Sequence, residues 1–439
     1  MTCLARTRPS PQTKKGFRIF LNQKLTNNKK YGTIYTYKKN NKGCVCMILT
    51  PKQEEGLKLA VSRYQNNEKY TVIAGYAGSG KSTLVRFIIE ALDVHPDRVC
   101  FATFTGKAAE VLRKKGNENV STLHRLLYES FPKPGGGFVN RPKPSIPYDV
   151  VIVDEVSMAP KKLMDLLFKH RVYVVCLGDP FQLPPIDKDQ DNHLLDHPHI
   201  FLDEIMRQAQ ESEVIRLTMD IRAMKPLLIQ EGKEVKVVPN IYLSENSVLT
   251  WADQVICAKN ATRHNLNNRM RALAGFQGSP HDGDKVICVR NYWEDLSMTG
   301  DPLINGSIGY LKNSFKTFRN VPYWLYTNVK RFDILQAEVT FEDNEYPSVE
   351  IDYEYLTTGE KCCDWRDAYK IGKARQRIGD IIPREFEYGY AITCHKAQGS
   401  EWDKVLVIEE NFPWNKEEHA RWLYTACTRA SQKLVIIQQ

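Results

Sequence analysis

The most visible absence in this 439-residue sequence is a long apolar run, since none approaches the ~20 residues that a helix needs to cross a bilayer. The beginning of the chain lacks the continuous apolar segment of a secretory signal. Neither an internal repeat nor a low-complexity tract is present. Composition is that of a soluble globular protein, with 42% hydrophobic and 26% charged residues. We therefore expect no membrane partner and a cytoplasmic location, which for a viral protein is the host cytoplasm.

Metal-ligand spacing is absent from the cysteines. They number 11, an odd count, and most lie within apolar strand-like segments. Cys44-x-Cys46 and Cys362-Cys363 lack the spacing of zinc ligands, and no second cysteine pair complements them. We expect reduced thiols, as in a cytoplasm-like compartment. No metal cluster typical of a nuclease is visible in the sequence either, which disfavours an intrinsic nuclease.

Acidic residues are missing from the first 46 residues, which hold 11 Lys and Arg. The whole chain has 61 basic and 52 acidic residues, so the remainder carries 50 basic residues against 52 acidic ones and is nearly neutral. Three interpretations stay open: an arm that grips nucleic-acid phosphates, a transit peptide, or a segment foreign to the native protein. We favour an ancillary segment that is disordered or not native. The reason is that Met47 begins Met-Ile-Leu-Thr-Pro-Lys-Gln, which resembles a natural domain start.

The motif that carries most chemistry is Gly75-Tyr-Ala-Gly-Ser-Gly80-Lys81-Ser82-Thr83, which fits the pattern G-x-x-x-x-G-K-[ST] and is called the phosphate loop below. A short apolar strand is predicted before it at Tyr70–Ala74, and a helix after it at Leu84–Leu92. A glycine-rich turn between strand and helix directs backbone N–H groups and the positive end of the helix toward an anion. We predict that it binds ATP and that Ser82 ligates Mg²⁺, with contacts from Gly75, Ala77, Gly78, Ser79, Gly80, Lys81, Ser82 and Thr83.

The length predicts two or three domains. The fold class we expect is α/β, with two parallel-sheet lobes at residues 47–200 and 201–439. A proline- and glycine-rich stretch at about 130–147 predicts a small hairpin in the first lobe, with a plain surface loop as the alternative. A β-rich insertion is predicted at about 310–380 in the second lobe. Strands are predicted at Tyr70–Ala74, Arg98–Thr103, Asp149–Val153 and Val172–Leu177 in the first lobe, and near Gln254–Ala258, Lys285–Val289, Gly389–Ile392, Val405–Ile408 and Leu434–Ile437 in the second.

Polar residues follow two of these strands, where doubly wound sheets place their ligand chemistry. Asp154 and Glu155 end the apolar run Val150–Val153. Asp154 can hold the Mg²⁺ shared with Ser82, and Glu155 can accept a proton from the attacking water. Gln182 follows the next strand, and an amide can orient that water because it both donates and accepts hydrogen bonds.

Seven ordered motifs together resemble the series found in superfamily 1B DNA helicases of the RecD and bacteriophage Dda type. The resemblance extends from about Thr50 to the end of the chain, is weak at 310–380 and does not cover residues 1–46. The motifs are Thr103-Phe-Thr-Gly-Lys-Ala-Ala109, Ser121-Thr-Leu-His124-Arg-Leu, Asp154-Glu-Val-Ser-Met158, Gly178-Asp-Pro-Phe-Gln-Leu-Pro-Pro185, Ile205-Met-Arg207-Gln208, Tyr390-Ala-Ile-Thr393-Cys-His395-Lys396-Ala-Gln398-Gly399-Ser-Glu401 and Tyr424-Thr-Ala-Cys-Thr428-Arg429-Ala430.

The resemblance implies further roles in the nucleotide site. Arg207 and Arg429 match arginines that contact the γ-phosphate, where a guanidinium neutralises developing charge. Gln53 matches the glutamine that reads adenine, although Thr50-Pro-Lys-Gln53 is also a good capping box for a helix, and both roles are compatible. Gly399 and Glu401 are expected to shape the nucleotide and lobe interface.

The resemblance also implies contacts with single-stranded DNA from Thr105, Lys107, His124, Thr393, His395 and Lys396. Many relatives have proline where this chain has Phe104, whose ring could stack on a base or pack in the core. His395 could instead be a structural histidine at a strand end.

The resemblance implies that the two lobes are RecA-like and that the insertion in the second lobe is SH3-like. The function it implies is an ATP-dependent 5′-to-3′ helicase acting on single-stranded and forked duplex DNA in replication, recombination or repair. We expect a monomer that works beside single-strand-binding, replication or recombination proteins, with the Phe131–Arg141 hairpin as the pin that splits the duplex. Two alternatives stay open: a translocase that does not unwind, and a nucleotide-gated DNA-binding subunit of a larger complex. A phosphate-loop kinase is disfavoured, because it would not need the motifs around His395 and Arg429.

Overall fold

The computed structural model describes residues 34–38, 44–132, 138–184, 191–298, 302–321, 330–341, 345–362, 382–413 and 415–438. Within the basic N-terminal segment, the backbone of Ile34–Lys38 pairs antiparallel with that of Cys44–Ile48. Among the described residues, no helix combines the length and apolar character needed to cross a membrane.

The first lobe is built on a parallel sheet of six strands. From edge to edge these are Ile200–Leu202, Tyr70–Gly75, Tyr173–Gly178, Val150–Val153, Val99–Thr103 and Val120–Thr122. Two apolar clusters pack against its two faces, which is why its central strands are buried along their whole length. The helices of this lobe are Pro51–Gln65, Lys81–Leu92, Gly106–Lys114, Leu123–Leu127 and Lys161–Leu167.

The second lobe contains a six-stranded sheet whose first strand pair is antiparallel and whose other pairs are parallel. In spatial order its strands are Gln230–Glu231, Val235–Pro239, Ala430–Gln438, Trp402–Glu409, Gln254–Cys257 and Ala391–Thr393. The helices between and around these strands are Arg207–Gln210, Glu213–Arg222, Asn246–Trp251, Asn260–Leu273, Cys394–Ala397 and Lys416–Cys427.

Two β-rich additions extend these lobes. In the first lobe, Tyr128–Pro132 pairs antiparallel with Phe138–Pro142, so the predicted hairpin is present, although its tip at 133–137 lies outside the described residues. In the second, five antiparallel strands form a separate sheet beside the helix Tyr353–Thr358, and Tyr292–Leu296 pairs with Pro302–Leu303. The five strands are, in order, Glu345–Asp352, Arg331–Thr340, Ile308–Asn320, Lys285–Cys288 and Phe386–Tyr388.

The α/β class and the parallel sheets are confirmed, and one strand assignment needs correction. Lys285–Cys288 was expected among the alternating strands of the second lobe, but it pairs antiparallel with Ile308–Asn320 and Phe386–Tyr388. A short apolar strand does not specify its partner, and here its buried side chains serve the core of the inserted sheet. The SH3-like character of this insertion and the lobe boundaries stay predictions.

Candidate functional site

The phosphate loop joins the strand Tyr70–Gly75 to the helix Lys81–Leu92. Gly78 and Gly80 have φ of 76° and 82°, a left-handed conformation that side chains other than glycine rarely adopt. Gly80 is the residue before the helix, so the helix begins at Lys81, three residues earlier than the predicted Leu84. Ser82 and Thr83 consequently lie in the first helical turn, where free backbone N–H groups and the helix dipole favour an anion.

Packing around the loop leaves no room for a side chain at Gly75. A Cβ atom there would lie 2.6 Å from Ser79 Oγ and 2.9 Å from Leu202 Cβ. A Cβ atom added at Gly78 would likewise lie 3.0 Å from Ala209 Cβ and 3.4 Å from Ile205 Cγ2. The loop is therefore held in shape by its own backbone and by the neighbouring 202–209 chain before any nucleotide binds.

Lys81 is folded back onto the loop. Its Nζ donates hydrogen bonds to the carbonyl oxygens of Gly75, at 2.6 Å, and Tyr76, at 3.0 Å. Ser79 Oγ is buried and has no hydrogen-bond partner in the described part of the chain, whereas Ser82 is exposed. These groups are the ones that a bound triphosphate would engage, because an ammonium and hydroxyls complement phosphate oxygens.

Two carboxylates face this loop from the end of the neighbouring strand Val150–Val153. Burial raises the pKa of Asp154, while the positive charge of Lys81 opposes that rise. Burial also raises the pKa of Glu155, with Arg429 acting in the opposite direction. Glu155 has a left-handed backbone at φ 51°, and its Oε2 is buried without a partner among the described residues. A strained residue with an unpaired buried oxygen is typical of a functional site.

Arg429 reaches Glu155 from the second lobe. Its Nη1 lies 3.5 Å from Glu155 Oε1 and donates to the Ser400 carbonyl at 3.3 Å. Its Nε donates to the Thr425 carbonyl at 3.1 Å, and its Nη2 to Thr428 Oγ1, also at 3.1 Å. Only 5% of this residue is exposed, so the guanidinium is fixed in position rather than free in solvent. The first lobe thus contributes the carboxylate of Glu155, and the second lobe the guanidinium of Arg429, to one point of the site.

A cavity of about 190 Å³ lies between the two lobes at this point, and we call it the cleft. Gln182 lines it, and its Oε1 has no hydrogen-bond partner among the described residues. The rim is bridged by an ion pair in which Lys115 Nζ lies 3.2 Å from Glu401 Oε2. The cleft is lined by Ala77, Thr103, Ala108, Val111, Leu112, Lys115, Asp154, Glu155, Gln182, Gly399, Ser400, Glu401, Thr428 and Arg429.

Gln53 performs the capping role that the sequence indicated. Thr50 Oγ1 accepts from the Gln53 backbone N–H at 3.3 Å, and Gln53 Oε1 accepts from the Thr50 N–H at 3.0 Å. The side-chain nitrogen of Gln53, Nε2, donates to the Ser79 carbonyl at 3.2 Å. This hydrogen bond connects the capped helix Pro51–Gln65 to the phosphate loop. The capping box is confirmed, and the contact of Gln53 with adenine stays a prediction.

Gly399 is a point of contact between the lobes. It has φ of 76°, and a Cβ atom there would lie 2.8 Å from Thr105 Oγ1 and 3.0 Å from Ala108 Cβ. Thr105 also caps the helix Gly106–Lys114 by accepting from the Ala108 N–H at 3.2 Å. Arg207 begins the helix Arg207–Gln210, but its side chain lies outside the described residues, and its contact with the phosphate stays a prediction.

Two of the residues predicted to contact DNA on the first lobe, Phe104 and His124, form an aromatic row with Tyr128 at the base of the hairpin. The ring centroids of Phe104 and His124 lie 5.9 Å apart, and those of His124 and Tyr128 lie 6.3 Å apart. Phe104 also packs against the first-lobe core, and burial lowers the pKa of His124. Lys107 Nζ pairs with Glu110 Oε2 at 3.2 Å. Tyr128 was not predicted, although its place next to the hairpin could have indicated it.

On the second lobe, Thr393, His395 and Lys396 lie at the end of the strand Ala391–Thr393 and in the helix Cys394–Ala397. Burial lowers the pKa of His395. The ammonium of Lys396 is paired with the carboxylate of Glu387, and burial lowers its pKa against the effect of that partner. Lys396 is therefore engaged by protein in this structure, and DNA contact by these three residues stays a prediction.

The sequence missed a hydrogen-bonded link between the lobes. Tyr424 Oη donates to Asp179 Oδ2 at 2.5 Å and accepts from the Ala77 backbone N–H at 2.9 Å. Tyr424 and Asp179 both lie in motifs quoted above, but nothing in their spacing along the chain indicated that they contact each other. Lys115, on the cleft rim, follows the helix Gly106–Lys114 and had no sequence signal at all.

Two family models match the chain: one described as an AAA domain, over residues 49–235, and one described as a UvrD-like helicase C-terminal domain, over residues 388–437. The ATP-dependent RecD2 DNA helicase of Deinococcus radiodurans is 35% identical over 391 residues, which is 83% of this chain and 46% of that protein. This chain thus spans about half the length of RecD2.

Two further matches cover a phage protein and a solved structure. The ATP-dependent DNA helicase dda of Enterobacteria phage T4 is 29% identical over 154 residues, which is 33% of this chain and 34% of the phage protein. A solved structure of two coordinating Pif1 helicases at forked double-stranded DNA covers 89% of this chain and 92% of that chain, with 19% identity and a TM-score of 0.49.

Proposed function

Because the chain belongs to the superfamily 1B helicases, we propose that it is an ATP-dependent DNA helicase that moves 5′ to 3′ on single-stranded DNA and separates duplex strands. The observation that carries this proposal is the approach of Arg429 to Glu155 across the cleft, at 3.5 Å. An enzyme that only bound a nucleotide on its phosphate loop would not need a buried arginine from a second lobe at the same place.

The two lobes supply different groups for ATP hydrolysis in the cleft. The phosphate loop holds the triphosphate, and Lys81 exchanges its loop carbonyls for phosphate oxygens. Glu155 takes a proton from the attacking water, a role favoured by its raised pKa and unpaired oxygen, and Gln182 orients that water. Arg429 leaves Glu155 for the γ-phosphate, where its fixed fork stabilises the charge of the transition state.

The same contacts convert hydrolysis into movement. ATP bound between the lobes favours the closed arrangement because it interacts with Lys81 on one side and Arg429 on the other. Loss of the γ-phosphate removes that bridge and lets the lobes separate. If each lobe grips single-stranded DNA in turn, repeated closure and opening produce directional movement. Direction itself is carried over from the family resemblance.

Mg²⁺ fits the residues present. Hard oxygen ligands suit this ion, and it commonly takes only one or two of them from protein while substrate phosphates and water supply the rest. Asp154 is a half-buried carboxylate whose pKa is raised by desolvation, and the Ser82 hydroxyl is exposed at the start of the helix. These two side chains would hold the ion, which would neutralise charge on the phosphate oxygens.

DNA is proposed to cross both lobes along the motif residues described above. On the first lobe Phe104, His124 and Tyr128 offer a row of rings for base stacking, which suits binding without sequence preference. This row leads to the hairpin Tyr128–Pro132 and Phe138–Pro142, which we propose as the pin that splits the duplex. Thr105, Lys107, Thr393, His395 and Lys396 are proposed as further contacts, Lys396 only after release from Glu387.

Replication, recombination or repair is the proposed setting, with the protein acting as a monomer beside single-strand-binding or recombination proteins in a cytoplasm-like compartment. Two other functions remain as alternatives: a translocase that moves without unwinding, and a nucleotide-gated DNA-binding subunit of a complex. The first would hydrolyse ATP on single-stranded DNA without separating a fork, and the second would bind DNA without sustained hydrolysis.

The test is strand separation of duplexes that carry a single-stranded tail at either the 5′ or the 3′ end, with ATP and Mg²⁺. We expect unwinding of the 5′-tailed duplex only, and none by the Lys81→Ala variant, which should still bind single-stranded DNA. ATP hydrolysis without unwinding of either duplex would favour the translocase, and unwinding of only the 3′-tailed duplex would refute the proposed direction.

A further inference from the structure

Tyr424 lies in the second-lobe helix Lys416–Cys427 but contacts the first lobe with its hydroxyl. It is 1% exposed, and its oxygen is within hydrogen-bond distance of Asp179 Oδ2, at 2.5 Å, and of the Ala77 backbone nitrogen, at 2.9 Å. Ala77 belongs to the phosphate loop, and Asp179 follows the strand Tyr173–Gly178. One side chain of the second lobe therefore contacts two separate parts of the nucleotide site.

The direction of these hydrogen bonds is determined by chemistry. The Tyr424 hydroxyl donates its single hydrogen to the carboxylate oxygen of Asp179. Its oxygen then has a lone pair for the Ala77 N–H, which can only donate. The other carboxylate oxygen of Asp179 accepts from the Phe181 N–H at 3.0 Å. Burial raises the pKa of Tyr424 well above its usual value, so the hydroxyl keeps its hydrogen.

The chain that follows Asp179 is docked into the second lobe. Leu183 is part of the apolar core of that lobe, and the Phe181 ring packs edge-on against Tyr424 at a centroid distance of 5.2 Å. The Leu183 N–H donates to Thr425 Oγ1 at 3.0 Å, and its carbonyl accepts from Gln398 Nε2 at 2.8 Å. Gln182 lies between these two anchored residues, so its position in the cleft depends on the second lobe.

We propose that Tyr424 is a positioning residue that holds the phosphate loop and the 179–184 segment in register with the second lobe, so that ATP turnover and its coupling to strand separation depend on its hydroxyl. This inference rests on the proposed ATP-driven helicase function and adds a residue to it. Arg429 is carried five positions further along the same chain and contacts the Thr425 carbonyl, so a shift of the helix at Tyr424 also moves the arginine that faces Glu155.

The test compares Tyr424→Phe with Tyr173→Phe. The first removes only the hydroxyl and keeps the ring against Phe181. The second removes an equally buried hydroxyl, whose partners Ala60 and Thr71 both lie in the first lobe at 2.7 and 2.6 Å. Hydrogen exchange at the Ala77 amide, thermal unfolding, steady-state ATP hydrolysis with single-stranded DNA, and base pairs separated per ATP are measured for both.

Tyr424→Phe should speed exchange of the Ala77 amide and lower kcat, each about tenfold, the size expected for losing a hydrogen bond to a charged group. The KM for ATP should change less than about twofold, because the ligating groups of the phosphate loop are retained. Fewer base pairs should be separated per ATP. Tyr173→Phe should lower Tm by about as much as Tyr424→Phe does. It should leave the exchange rate of the Ala77 amide and the kcat at their wild-type values.

A second variant, Asp179→Asn, offers one carbonyl oxygen where two acceptors are used, so it cannot serve both Tyr424 and Phe181. We expect it to reproduce the Tyr424→Phe effects, and the double variant to be no worse than either single one. Unchanged Ala77 exchange in Tyr424→Phe, equal kcat losses in the two tyrosine variants, or additive losses in the double variant would overturn the proposal. A wild-type protein without ATP hydrolysis would refute the proposed function instead, while Ala77 exchange would still decide the role of Tyr424.

Discussion

Replacement of Arg429 by lysine separates the charge of this residue from its shape. Among the residues that the structure describes, the guanidinium contacts Thr425, Ser400, Thr428 and, across the cleft, Glu155. An ammonium on a lysine stem keeps the positive charge but has no planar fork, so it cannot hold the second-lobe contacts and present two parallel donors to a phosphate at once. Any loss in Arg429→Lys therefore measures the geometry of the fork.

The magnitude follows from what an arginine contributes in related chemistry. An arginine that stabilises a transferring phosphoryl group is worth about 10³–10⁵ in kcat. We expect Arg429→Ala to lose about this much, and Arg429→Lys to lose roughly 10²–10³ because charge without a bidentate fork is retained. The KM for ATP should rise only a fewfold, since Lys81 and the loop backbone remain.

The assay is steady-state ATP hydrolysis with saturating single-stranded DNA, with Tm recorded for each variant. Arg269→Lys is the matched control, because that arginine also binds several oxygens, on Leu243, Ser244 and Asn246, but lies outside the cleft. Its kcat should equal that of the wild type. If the folded Arg429→Lys variant keeps kcat within about threefold of the wild-type value, Arg429 does not act on the transition state. A catalytic site shared by the two lobes would then be refuted.

Three other predictions test separate parts of the structure. Burial raises the pKa of Asp154, so its ionisation disfavours the folded state as pH rises above the unfolded value of 3.8. Asp154→Asn should therefore raise Tm at pH 7.5 but not near pH 3, and a lower Tm at pH 7.5 would contradict this prediction. Deletion of Pro134–Val139 should spare DNA-stimulated ATP hydrolysis but impair strand separation, and undiminished unwinding would remove the pin assignment. A chain that begins at Met47 should keep ATP hydrolysis, and a folded but inactive product would show that the basic segment is needed.

Local features were the ones that the sequence predicted well. The glycine pattern located the phosphate loop, because left-handed turns at Gly78 and Gly80 require that residue. The strand Tyr70–Ala74 was predicted within one residue of the observed Tyr70–Gly75, since a strand buried on both faces is a continuous apolar run. The capping box at Thr50 and Gln53 was likewise visible in the sequence and is formed.

Features that depend on distant contacts were not predictable in the same way. Lys285–Cys288 was assigned to the wrong sheet, since its apolar residues are compatible with either. Lys396 was expected to contact DNA, which stays a prediction, and its pairing with Glu387 was not visible in the sequence. Tyr424 and Asp179 are 245 residues apart, so only the docking of the lobes reveals their hydrogen bond. The lining of the cleft is accordingly a product of tertiary structure.

The most direct test of a site shared by two lobes is a structure with ADP, aluminium fluoride, Mg²⁺ and single-stranded DNA bound. The account predicts that the Arg429 guanidinium leaves Glu155 and lies within about 3 Å of the fluoride, opposite Lys81, with the cleft closed around the nucleotide. A closed, nucleotide-filled cleft in which Arg429 points away from the fluoride would contradict it.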